Sequence, residues 1–178
     1  LLLVASLWIR QPVERGEDLF GVVPADAFLV VDIDVEGLSK TEVGRGLLGR
    51  GRQAVGAKDV RAVCGLDPLR GVRRMAIAIP GEGSRAGFGL FALGALNRDG
   101  LLACAERFIV AQGGKPERRS EGSFVVIRDT RGAVSAAEIA IDDHGRLIIA
   151  EGPYLRQSIA AARGDRASLR SEGGAHQM

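Results

Sequence analysis

Apolar and polar positions divide this chain into short strand-length runs set between a few helical stretches. Two apolar runs, Met75–Ile79 and Phe88–Leu96, flank the glycine-rich segment 80–87. Such runs around a glycine-rich break predict two central antiparallel strands. Before them, Ala27–Val35 (AFLVVDIDV) predicts a first strand, whose second half places Val31, Ile33 and Val35 on one side and Asp32 and Asp34 on the other. Leu38–Val55 predicts a helix, with Ser39 as N-cap and Glu42 three residues on, a capping-box spacing. A second short helix is expected over Val60–Val63, stopped by Gly65 and Pro68.

Beyond the central pair, Leu101–Gln112 predicts a helix with Leu101, Leu102, Ala105, Phe108 and Ile109 on one face and Gly113-Gly114 at its end. Two hairpins follow. In the first, Lys115–Arg119 and Phe124–Asp129 enclose Ser120-Glu121-Gly122-Ser123. In the second, Ala136–Ile141 and Arg146–Ala150 enclose Asp142-Asp143-His144-Gly145. Pro153–Arg163 predicts a last helix, with proline at its start and Gly164 after its end. The order implies an α+β fold: an antiparallel sheet with helices on one face, a split β-α-β unit extended by hairpins.

The first ten residues change this picture. LLLVASLWI precedes Arg10. About 20 apolar residues span a bilayer, so nine read as the end of a hydrophobic anchor, with Trp8 and Arg10 at the membrane interface. The expected division is an anchor end at 1–10, a tether at 11–22, the α+β domain at 23–164 and a polar tail at 165–178. Composition adds little: the net charge of +2 across 178 residues demands no nucleic acid or acidic partner. Lysine occurs only at 40, 58 and 115, so the basic residues are nearly all arginine.

Candidate chemistry is sparse. Cys64 and Cys104 are the only cysteines, and outside the cytoplasm an even pair predicts a disulfide. Gly44-Arg45-Gly46-Leu47-Leu48-Gly49 matches a dinucleotide fingerprint literally, but its glycines fall inside a helical stretch instead of directly after a strand. Asp32 and Asp34 begin as a calcium loop does, yet position 12 of that loop is Val43. No Gly-x-Ser-x-Gly elbow accompanies His144 or His176. Arg50, Arg52, Arg73 and Arg74 belong to a basic stretch, Arg45–Arg74, that would suit an anionic lipid headgroup or polysaccharide. It carries no interleaved aromatics for nucleic acid. No cofactor or metal site is expected.

Val23-Pro24-Ala25-Asp26-Ala27 and Cys64-Gly65-Leu66-Asp67-Pro68 resemble segments of uncharacterised membrane-anchored or exported envelope proteins of high-GC bacteria, including myxobacteria. The resemblance implies a domain facing the periplasm from the bacterial inner membrane. The expectation is a non-enzymatic interaction or accessory subunit of an envelope complex, joined to the membrane by its N-terminal segment. The alternatives are a module binding an anionic envelope component through Arg45–Arg74, or a hydrolase or transferase using carboxylates near Asp32 and Asp34.

Overall fold

The computed structural model describes residues 18–54, 57–81, 87–132 and 137–171. The anchor end, with Trp8 and Arg10, lies outside the described residues, as does most of the expected tether. Among the described residues, no helix is long and apolar enough to cross a membrane.

Strand β1 spans Ala27–Asp34 and is followed by three helices, α1 (Val35–Ser39), α2 (Glu42–Ala54) and α3 (Ala57–Cys64). The central pair is β2 (Val72–Pro80) and β3 (Gly89–Gly94), and α4 (Arg98–Ala111) leads to the far edge. The chain returns through β4 (Pro116–Glu121), β5 (Phe124–Asp129), β6 (Ala137–Asp142) and β7 (Arg146–Glu151) before α5 (Gly152–Arg163). The strands form one seven-stranded sheet in the order β1-β2-β3-β7-β6-β5-β4. Every pairing is antiparallel. The α+β architecture and the hairpins are those expected from the sequence.

Both sheet faces carry a core, because β2, β3, β5 and β7 are apolar at even and odd positions alike. On one face Ala76, Ala78, Phe91, Phe124, Val126, Ile148 and Ala150 meet Tyr154, Leu155 and Ile159 of α5. On the other, Ala92, Ile127, Ile141 and Leu147 meet Leu102 and Ala105 of α4 and Val35 of α1. The helices therefore do not share one face. Glu151 runs into Gly152 without an intervening loop, and α5 folds back on the face opposite α4. Gly89 makes this close approach possible: a Cβ there would lie 2.6 Å from Tyr154 Cε1.

The first helical stretch also differs from the expectation. β1 stops at Asp34, whose carboxylate accepts a hydrogen bond from Gly37 N at 2.8 Å and caps α1, so buried Val35 opens a helix instead of closing a strand. Ser39 ends α1, its hydroxyl donating to Glu36 O. Thr41 opens α2, its Oγ1 accepting from Gly44 N at 3.0 Å. Ser39 and Thr41 are both N-cap residue types, and spacing to Glu42 favoured the wrong one.

The body extends past both expected limits. Leu19 and Val22, in the stretch that reads as tether, are completely buried in the core beside β2 and β3, together with Val23 at the expected start of the domain. Leu169 N donates to Val23 O, Ala25 N donates to Ala167 O, and Pro24 bridges Ser168, so the start of the expected tail is paired with the entry segment.

Candidate functional site

Asp32, Asp34, Arg73 and Arg74 come together. With Glu36 and Leu93 they line an open cleft of about 460 Å³ where the end of β1 meets the start of β2. A register irregularity between Val72 and Arg74 lets both arginines reach it, where strict alternation would part them. Asp32 forms an ion pair with Arg74, and the Arg74 guanidinium also lies 5.4 Å from the Phe20 ring centroid. Asp34 is engaged as the α1 cap, and Glu36 pairs with Lys40 at 2.9 Å. The cleft thus holds two arginines beside three carboxylates, of which Asp32 is paired with Arg74, Asp34 with the Gly37 N–H and Glu36 with Lys40 outside the cleft. Arg50 is exposed on α2, which packs on α1 and α3, and Arg52 lies in the same helix. Among the described residues, no group of three or more His, Cys, Asp or Glu could hold a metal ion.

The other polar motifs have structural work. The Gly44–Gly49 motif lies inside α2. Asp142, almost completely buried, accepts from His144 N at 3.0 Å, Arg146 N at 2.9 Å and Arg146 Nε at 2.6 Å, tying the β6–β7 turn. Gly145, at φ 73°, supplies the left-handed residue that this turn needs. Buried Glu138 pairs with Arg119 at 3.0 Å.

Cys64 and Cys104 form a disulfide across a Cα–Cα distance of 5.2 Å, within the ordinary range for such bridges. It joins the end of α3 to the second turn of α4 and so fixes the α1–α3 segment to the helix over the sheet.

The feature not anticipated from the sequence lies on the α4 face. Register places Leu29 beside Ile79, and Val31 beside Ile77, then Leu90, Ile149, Ile139 and Ile127 in one row across six strands. α4 packs over β4, β5 and β6, and α1 touches β2 near the opposite end of the strands. The corner toward the start of β1 is left open. Leu29 is 47% exposed, Val31 46% and Ile79 40%; Phe28, the extra residue of a β1 irregularity, is 78% exposed, and Phe88 before β3 is 55% exposed. Contiguous apolar surface of this kind marks a binding face more often than an accident.

The open face runs into a groove of about 460 Å³ beside α4, lined by Phe108, Ile109, Ile127, Ile139, Leu147 and Ile149. Asp129 stands at its polar margin with Gln112. The backbone N–H groups of Lys115, at 2.8 Å, and Arg131, at 2.9 Å, hold the Asp129 carboxyl below its usual pKa. One signal in the sequence pointed here. MAIAI and GLFALG are apolar at both parities, which requires cover on both faces, while few apolar helices are available to supply it. Compared with known proteins, the chain matches no family model, no curated protein and no solved structure.

Proposed function

We propose that this domain is a non-enzymatic interaction subunit of a bacterial envelope complex. It works on the periplasmic side of the inner membrane and is joined to that membrane by the N-terminal apolar segment. The observation that carries the interaction role is the open apolar corner of the α4 face around Leu29, Val31 and Ile79. The Cys64–Cys104 bridge supports the location, since structural disulfides persist in oxidising compartments. The alternatives are anion binding through the Arg45–Arg74 stretch and carboxylate chemistry near Asp32 and Asp34, and in the cleft where the two overlap Asp32 is already paired with Arg74.

Two measurements test this reading. External protease added to spheroplasts should digest the domain, and complete protection would overturn the location. A photo-crosslinking residue at Ile79, introduced in the native host, should give an adduct with an envelope protein, whereas one at Arg156 on α5 should not. No adduct at Ile79 would remove the interaction role.

A further inference from the structure

Resting on that interaction reading, we propose that the open corner of the α4 face is the docking site of a second copy of this chain, in a two-fold dimer built face to face. Three observations single out this occupant. The first is charge. The rows Leu29–Ile79 and Val31–Ile77–Leu90–Ile149–Ile139 contain no ionisable side chain, and the carboxylate that continues the first row beyond Phe88, Glu151, accepts from Gly87 N at 3.2 Å, so a two-fold axis through the rows sets apolar side chains against one another. A partner selected by charge would have nothing on these rows to read.

The second is area. The exposed parts of Phe28, Leu29, Val31, Ile79 and Phe88 amount to roughly 500–600 Å² of apolar surface. The half-buried Ile77, Leu90, Ile139 and Ile149 bring the patch toward the ~800 Å² that each partner contributes to a standard interface. The third is composition. Interfaces between identical subunits are the more apolar class, and this patch is aliphatic and aromatic throughout. A sheet face meeting its own image packs at about 10 Å with interleaved side chains, and an isologous contact closes at two copies.

The test uses the full 178-residue chain. Sedimentation velocity between 1 and 100 µM should show a dimer. The double variant Leu29→Lys, Ile79→Lys should be monomeric over that range, a weakening of at least 100-fold. Val31→Thr, Ile79→Thr keeps β-branched side chains in the strands, so it folds even where the lysines disrupt the sheet, and it should weaken the dimer at least 10-fold. Ile79→Cys should form a covalent dimer on mild oxidation, and Arg156→Cys should not.

A wild-type chain that stays monomeric at 100 µM overturns the proposal. So does a dimer that survives both double variants, which would assign association to another part of the chain. A monomer that binds neutral phosphatidylcholine vesicles through this face, and loses that binding in the lysine variant, overturns it in favour of lipid. Cross-linking from Ile79 to a different envelope protein, with a monomeric wild type, overturns the dimer alone and leaves the broader interaction reading standing.

Discussion

Tyr154 is the largest of the completely buried side chains among the described residues, and its ring meets Phe91 edge-on with centroids 6.2 Å apart. Its hydroxyl has no hydrogen-bond partner among the described residues. Burial pushes its pKa up to about 12 from the ordinary 10, with Asp26 adding to the shift and Arg166 opposing it. The folded state therefore binds the phenolic proton more tightly than the unfolded chain. That contribution is complete below pH 10 and is lost as pH rises toward 12. Tyr154→Phe removes an unpaired buried hydroxyl and retains the ring. It should leave stability at pH 7 unchanged or raise it by up to about 1 kcal/mol, and it should flatten the loss of stability between pH 10 and 12. Chemical denaturation at a series of alkaline pH values measures both effects. Asp34 offers a second test at this scale. Its carboxylate caps α1, and asparagine caps equally well, so Asp34→Asn should be near neutral while Asp34→Ala should cost about 1 kcal/mol in urea unfolding.

At the scale of elements, the weak points are where helices begin and which sheet face they cover. Thr41→Ala should cost about 1 kcal/mol by removing the α2 cap, and Ser39→Ala a smaller amount, because Ser39 bonds only to a carbonyl within α1. Strands β2, β3, β5, β6 and β7 were readable because glycine-containing turns bracket alternating or continuous apolar runs, and polar β4 was readable as the other arm of the hairpin that turns at Gly122. The break between α1 and α2 was not readable, because Asp34, Ser39 and Thr41 are all capping residue types within eight positions. The placement of α5 was equally hidden: its apolar stripe fixes which side faces a sheet, but the turn at Glu151–Gly152 decides which face. Leu19 and Val22 escaped notice because a short run broken by glycine has no period to detect. The cysteine pair, by contrast, was legible from count alone once an oxidising location was supposed. Replacing both cysteines with alanine releases a loop of 40 residues' separation, and loop entropy puts the loss at about 4 kcal/mol. The midpoint of guanidinium unfolding should fall accordingly, and in the oxidised wild type a reductant should reproduce the fall.

Across the whole molecule, the two sheet edges are treated differently. β4 carries Pro116, Glu117, Arg118 and Arg119, with ion pairs from Arg118 to Glu106 at 3.0 Å and from Arg128 to Glu117, and charge of this kind discourages strand addition. β1 has no proline or lysine and exposes Phe28, Leu29 and Val31. The open apolar corner therefore lies at the β1 edge, where a bulge at Phe28 and the carboxylates of Asp32 and Asp34 are the protection against strand addition. The candidate site was only half legible in the sequence for a related reason: the apolar runs at both parities call for cover on both faces, but only the tertiary arrangement tells where the helices leave a face bare. The basic stretch makes a weaker surface. Arg73 and Arg74 share their cleft with three carboxylates, and Arg50 and Arg52 stand apart from them on α2, so the four do not form one cationic site and reversing Arg50 and Arg52 to glutamate should change affinity for anionic vesicles less than twofold in a flotation assay at low salt.

The pairing of the entry segment with residues 167–169, supported by an Asp18–Arg170 contact at 3.4 Å, brings the two ends of the folded body side by side. Tension applied through the flanking chain would open this clasp one bond at a time, like a zip, instead of shearing the sheet along its length. The same adjacency lets the whole body be spliced into a surface turn of a host protein without separating the host's cut ends.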